Sequence, residues 1–396
     1  MLIMRFRSSN RLHAAPFERA SAERQGAMSR SSPSSRSTPS RKRPTLRDVA
    51  NAVGVHVSTV SRVLNPQTRH HITPEIAAKV LSASARLNYR QNAAAYTLRT
   101  NRTRIVGVII PDITNPVFPP IIRGIEDALA ARGYMAIVVN TDGALPREAC
   151  AIDMLCGRGV DGVIAASVER DDPALLRLAG EGTPVVTVNR RMDDPGIASI
   201  VNNEDGGIRA VLDHLAALGH SRIANIAGPQ KLSTGKARLD AFLRHRDAMG
   251  LPAEDALIVT ADAFNEAEGE RCTHELLARK TPFTALVCSN DRLAVGAIAA
   301  LRAGGHAVPG DISVTGFNDM PMVDRMEPAL TTVRVQQYAA GRMAAEALLA
   351  RIEQSEGGDT PGHAVLAVEL VVRASTAPAR LIPGRETKRR RKASRE

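Results

Sequence analysis

Residues 57–65, Val-Ser-Thr-Val-Ser-Arg-Val-Leu-Asn, set an apolar stripe of Val60, Val63 and Leu64 against a small polar face of Ser58, Thr59, Ser61 and Arg62. Side chains of these types at the start of a helix can read DNA. An aliphatic group meets a thymine methyl, a hydroxyl gives or takes a hydrogen bond, and a guanidinium grips guanine O6 and N7. Val57, Ser58 and Arg62 are therefore expected at base edges, with Thr45, Thr59, Ser61 and Asn65 at phosphates, which hold a protein on the duplex without reading it. The same pattern also suits a small helical bundle with no nucleic-acid partner, so the surrounding elements carry the decision.

Thr45-Leu-Arg-Asp-Val-Ala-Asn-Ala-Val-Gly spaces Leu46, Val49, Ala50 and Val53 as one helix face and stops it at Gly54. After Gly54-Val55-His56 comes the second helix, and Thr73-Pro74-Glu75 reads as an N-cap, an N1 proline and a first-turn acid opening a third that runs to about Leu87. Residues 44–90 thus form a small all-α helix-turn-helix domain. His56 stands at the cap of the second helix, where Ser is the stronger capping residue. Charge agrees with a phosphate partner: residues 1–104 hold 19 Lys+Arg against 4 Asp+Glu, residues 105–384 are near −9, and the tail from Arg385 adds +5, within a total of +11.

Beyond residues 91–103, a helix-prone piece and linker, short aliphatic runs alternate with helical segments. Ile105–Ile110, Ala136–Val139, Gly162–Ala166 and Val185–Val188 are followed, after Leu218-Gly-His220, by Ile223–Ala227, a weaker Ala256–Thr260, Leu286–Cys288 and Ile312–Val314. Helices are expected at about 235–249, 266–278 and 291–303. This is the signature of doubly wound parallel sheets in an α/β core spanning 104–376, read as two like subdomains that follow each other with a ligand cleft between them. Residues 1–43, rich in Ser and Arg, are expected to be a disordered basic arm, with Met28 an alternative start. They lack the apolar stretch of a secretory signal, although their composition also resembles a transit peptide. Residues 377–396 are expected to be a basic disordered tail that either adds non-specific DNA affinity or only solubilises.

Several classes are excluded or disfavoured. No run approaches 18 apolar residues, so no membrane partner is expected. Cys150, Cys156, Cys272 and Cys288 form no Cys-x-x-Cys pair, and the ten histidines form no ligand cluster, so no metal is expected. There is no Gly-x-Gly-x-x-Gly or Walker motif and no recognisable catalytic constellation, so neither a cofactor nor an enzyme is expected.

The runs Thr45-Leu-Arg-Asp-Val-Ala50, Gly54-Val55, Thr59-Val-Ser-Arg-Val-Leu-Asn65 and Leu87-Asn-Tyr89 resemble the N-terminal signature of the LacI/GalR family of bacterial regulators. The resemblance continues through Ile109–Phe118, Leu218–Ile223, Asn290-Asp291, Gly316–Asp319 and Pro328–Thr332, covering 45 to about 376. It implies a periplasmic-binding-protein-like core and a cytoplasmic, nucleoid-associated homodimer on near-palindromic double-stranded operator DNA. The action implied is usually repression, under control of a small-molecule effector. It adds Tyr89 and Asn92 to the DNA contacts and makes Leu98 a minor-groove wedge; the alternative for Leu98 is a place in the helical core. Gln91 stands where the family usually has Pro and Tyr96 where Arg is common, which implies either a less stiff hinge or a less strict reading of the central base step.

For the effector, the resemblance carries over to Phe118, Asn189, Thr234, Arg238, Asn290 and Asn318, with Arg190 adjacent. Loop asparagines also cap helices and form Asx turns, so each has a purely structural alternative. Asn189 and Asn318 stand where relatives commonly carry Asp, and Val335 where Gln is frequent. With Arg190 and Arg238 present, an anionic effector such as a sugar acid is expected, gripped by a guanidinium. Two rivals are a transport solute-binding protein, against which the helix-turn-helix and the missing export signal speak, and an enzyme on the same fold, which no Ser/His/Asp or paired-carboxylate arrangement supports. No leucine heptad follows the core, so no tetramer-forming coiled coil is expected.

Overall fold

The computed structural model describes residues 2–4, 44–64, 68–89, 102–353 and 362–380. Two compact units are present, a helical one within residues 6–103 and an α/β one comprising residues 1–5 and 104–396.

The helical unit holds α1 (Leu46–Val53), α2 (Val57–Leu64) and α3 (Pro74–Arg86). A capping box opens α1: Thr45 Oγ1 accepts from Asp48 N (3.4 Å) and Asp48 Oδ2 accepts from Thr45 N (2.7 Å). Gly54 closes it at φ 72°, in the left-handed region that only glycine enters without strain. Val49, Ala50, Val60, Val63, Ala77, Val80 and Ala83 make the buried centre, with Leu46, Val57, Leu64 and Tyr89 packed on it. Thr73 does stand before α3, but its side chain makes no capping bond, so Pro74 at N1 carries that start.

The α/β unit contains β1 (Leu2–Met4), β2 (Ile105–Ile110), α4 (Phe118–Ala131), β3 (Met135–Asn140), α5 (Leu145–Gly157), β4 (Gly162–Ala165), α6 (Pro173–Gly180), β5 (Val185–Val188) and β6 (Ala198–Asn202). It continues with α7 (Glu204–Ala217), β7 (Ile223–Ala227), α8 (Ser233–Ala248), β8 (Ile258–Thr260), α9 (Glu266–Ala278), β9 (Ala285–Cys288), α10 (Asp291–Ala303), β10 (Ser313–Thr315), β11 (Thr332–Arg334), α11 (Gln337–Glu353), β12 (His363–Leu366) and β13 (Glu369–Val371). One lobe is a parallel sheet in the order β1-β3-β2-β4-β5-β6-β12; the other is a parallel sheet in the order β10-β9-β7-β8, with β11 and β13 as an antiparallel ribbon. The central strands are continuous aliphatic runs because helices cover both faces: α4 and α11 one face of the first sheet, α5 and α6 the other. In each sheet the order reverses, between β2 and β4 and between β7 and β9, and an open crevice forms at the carboxyl ends there.

Three expectations are corrected. The subdomains do not simply follow each other: α11 and β12, from beyond the second lobe, complete the first, where Ala344, Ala345 and Leu348 pack on the α4 side of the sheet. Within the segment read as an arm, Leu2–Met4 pairs in parallel with β3, Leu2 opposite Ile137; residues 5–43 lie outside the described residues. At the other end, Ala377 O accepts from His220 Nε2 (3.0 Å) and Ala379 N donates to Leu218 O (2.8 Å), so residues 377–380 are fastened to the core rather than part of a tail. No helix among the described residues is long and apolar enough to cross a membrane.

Candidate functional site

On the helical unit, Ser58 and Arg62 are exposed on one face of α2, and Thr59 and Ser61 are half-buried beside them. Among the described residues the Arg62 guanidinium makes no hydrogen bond or ion pair, so its donors face solvent. Its backbone carbonyl accepts from Thr68 Oγ1 (3.0 Å), and Val63 O accepts from Arg69 Nε (2.8 Å), a pair of contacts that close the end of α2. His56 does cap the start: its Nδ1 accepts from Ser58 N at 3.3 Å and lies 2.8 Å from Ser58 Oγ. With Nδ1 accepting, the Ser58 hydroxyl is a donor to the ring and keeps its lone pairs for a partner.

Two sequence expectations change on this surface. Val57 is not exposed; it is half-buried and turned onto the helical core. The Thr45 hydroxyl is held by Asp48 Oδ2 at 2.8 Å, which places Thr45 as the α1 cap. Tyr89 follows the left-handed Asn88 (φ 52°) and packs on the core, where burial pushes its phenol up from the ordinary value. Asn65, Gln91, Asn92, Tyr96 and Leu98 lie outside the described residues.

In the α/β unit, loops at the carboxyl ends of strands from both lobes converge on one cavity. Phe118 enters from the first turn of α4, Asn189 and Arg190 from the end of β5, Thr234 and Arg238 from the first turns of α8, Asn290 after β9 and Asn318 after β10. All seven residues expected from sequence line this cavity, together with Asn115, Val117 and Phe264, which sequence reasoning did not single out. Asn115 and Val117 sat inside the quoted run Ile109–Phe118. Phe264 gave no signal beyond being an isolated aromatic after a weak strand. Val335, in contrast, is buried in the core of the second lobe.

Three of the asparagines also do structural work. Asn290 Oδ1 accepts from Leu293 N (2.8 Å) and caps α10; Asn115 Oδ1 accepts from Val117 N (3.1 Å); Asn318 Oδ1 accepts from Arg238 Nη2 (3.5 Å). Asn189 and Asn318 adopt φ 66° and 121°, backbone that an asparagine tolerates better than a branched residue.

The two cavity arginines differ. Arg238 is already paired: Nε and Nη2 meet Glu204 Oε2 and Oε1 at 2.5 and 3.2 Å, Nη1 donates to Ser289 O at 2.5 Å, and the guanidinium lies 3.8 Å over the Phe317 ring. Its charge is thus neutralised in place, which corrects the expectation of two available cations. Arg190 is buried, and its one hydrogen bond among the described residues runs from Nη1 to Ser167 O at 3.1 Å. Burial lowers it to about 10, opposed by Glu148 and Glu169 nearby. Glu148, behind Ser167 and accepting from its hydroxyl at 2.5 Å, is pushed up to about 7 by burial.

Contacts across the cleft rim tie the lobes. Arg292 of α10 grips Glu266 (2.7 and 2.8 Å) and reaches Asp112 of the first lobe (3.2 Å); on another part of the rim Lys231 meets Glu169 (2.6 Å) and Arg191 N donates to Ser233 Oγ (2.9 Å). Behind the cavity Asp291, raised to about 6 by burial, accepts from Thr332 Oγ1 (2.5 Å) and Met320 N (2.8 Å), while Asp319 joins Arg334 and Arg373. The Asn290-Asp291 and Gly316–Asp319 motifs therefore fasten the second lobe's loops around the cavity.

Residues 45–92 match the family described as bacterial regulatory proteins, lacI family, and residues 212–376 match a periplasmic binding protein-like domain. The chain is 33% identical over 344 residues to the HTH-type transcriptional regulator CelR of Thermobifida fusca, covering 85% of this chain and 99% of that one. It is 34% identical over 336 residues to the HTH-type transcriptional repressor PurR of Glaesserella parasuis, covering 84% and 98%. Among solved structures, the lac repressor dimer bound to operator and the anti-inducer ONPF aligns with a TM-score of 0.74 at 27% identity, covering 85% of this chain and all of that one.

Proposed function

Because the chain belongs to the LacI family of bacterial regulatory proteins, whose members are DNA-binding transcriptional regulators and not enzymes, we propose that it is a repressor that sits as a homodimer on a near-palindromic operator and answers to a small molecule held between its lobes. The observation that carries this reading is the convergence of six family-matched side chains, and of the adjacent Arg190, from both lobes on one cavity, in a chain that also carries an exposed Arg62, unpaired among the described residues, on the second helix of a helix-turn-helix.

In this reading α2 lies in the major groove. Arg62 takes guanine and Ser58 accepts from a base amino group, while Thr59 and Ser61 with the N-terminal end of the unit hold phosphates. Asn65, Tyr89 and Asn92 extend the backbone contacts, and Leu98 wedges the minor groove at the operator centre, where an apolar side chain kinks the duplex. Ligand seated among Phe118, Asn189, Arg190, Thr234, Arg238, Asn290 and Asn318 touches both lobes at once. It thereby changes their relative placement, on which operator affinity depends. Such a regulator works in the cytoplasm, at the nucleoid.

The test is a gel shift of the full chain on DNA from upstream of its own gene, against a scrambled duplex at the same salt. A sequence-specific shift that weakens steeply with salt is expected, and Arg62→Ala should weaken specific binding by about 10- to 100-fold while leaving non-specific binding nearly unchanged. Equal affinity for both duplexes would overturn the reading.

A further inference from the structure

Resting on the reading that the interlobe cavity holds the regulatory ligand, we propose that this ligand is an anion: a small polyol bearing one carboxylate or phosphate group that Arg190 receives. The cavity lining contains two cations and no acid. Arg238 is cancelled by its two-pronged pair with Glu204, so Arg190 sets the sign of the site.

Arg190 is 8% exposed and is not hydrogen-bonded to saturation. Among the described residues its Nε is sealed from solvent with no hydrogen-bond partner, and only Nη1 is engaged, by Ser167 O. A buried guanidinium with unmade bonds is unfavourable, and an oxyanion placed against it supplies charge and acceptors together. The neighbouring acids do not fill that role. Glu169 is drawn to Lys231 at 2.6 Å, and Glu148, which shares the Ser167 residue with Arg190 as a common contact, is near half-protonated at neutral pH.

The amides point the same way. Asn115 and Asn290 commit their carbonyl oxygens to backbone N–H groups, which fixes the orientation of each amide, and Asn318 commits its own to Arg238. What these side chains have left to offer is N–H, so the lining is rich in donors and suits a ligand rich in acceptor oxygens. Phe118 and Phe264 add apolar faces for the C–H surface of such a molecule.

The experiment measures binding of matched probes to the full chain by calorimetry, with thermal shift in parallel: glucose against glucuronate and glucose 6-phosphate, and galactose against galacturonate. At least one acid is expected to bind about 10- to 100-fold tighter than its neutral partner. Carboxylate and phosphate probes separate the two sources of charge. Arg190→Lys should keep the preference for the acid and Arg190→Gln should abolish it, with the unliganded melting temperature reporting whether either variant is misfolded. Neutral sugars binding as well as or better than their acids, acids binding Arg190→Gln unchanged, or no acid binding at all would overturn the proposal; the first two need no altered operator binding to be seen. An acid that binds the cavity but leaves operator affinity unchanged would instead contradict the regulatory reading and leave the charge assignment standing.

Discussion

At the residue scale, function rests on where charge is compensated and where it is not. Among the described residues Arg62 and Arg190 keep unmade hydrogen bonds, while Arg238, the arginine that the resemblance carries over, is absorbed by Glu204. No periodicity argument could show this, because Glu204 and Arg238 are 34 residues apart and meet only once α7 and α8 pack. Glu148 gives a prediction of its own. Its folded carboxyl titrates at about 7 against an ordinary 4.5, so between those values the folded chain holds a proton that the unfolded chain has lost. Stability therefore falls as pH rises through that window, by on the order of 1–3 kcal/mol. Glu148→Gln, which cannot ionise, should flatten this slope and melt above the parent at pH 8 while matching it more closely at pH 4.5; scanning calorimetry at the two pH values checks it.

At the element scale, the sequence made the helix-turn-helix and most strands legible, because caps and aliphatic runs are local signals. Gly54 and the runs of β2, β5 and β7 all fall where spacing put them, within a residue or two, whereas the Thr45–Asp48 cap was seen only in the structure. The membership of α11 was not legible. No helix was expected over its residues, and only the packed chain shows that it returns to the first lobe, where it crosses α4 at a contact too close for side chains. A Cβ added at Gly341 would lie 2.0 Å from Ile121 O, and one at Gly124 2.1 Å from Tyr338 O. Gly341→Ala should force these helices apart and destabilise the core by about 1–3 kcal/mol. Gly157→Ala, with nothing within 4 Å of the new carbon, should be near neutral; urea unfolding of both variants reads the difference.

At the scale of the whole molecule, the design is a small basic reader joined to an acidic two-lobed core whose rim is laced by Arg292–Asp112 and Lys231–Glu169. The cavity was legible in seven of its lining residues, because the resemblance fixed positions at the carboxyl ends of strands, but not in Asn115, Val117 and Phe264. Its chemistry was only half legible, since the charge balance depends on partners outside the motifs. The central claim is that occupancy of this cavity controls DNA affinity. Its most direct measurement is fluorescence anisotropy of the chain's own upstream duplex, titrated with protein in the presence and absence of a saturating compound that binds the core. The expected result is a 5- to 150-fold change in specific affinity, as is typical of coupled sites, and its loss in the Arg190→Gln variant. Equal operator affinity with the cavity filled and without the compound would contradict the account.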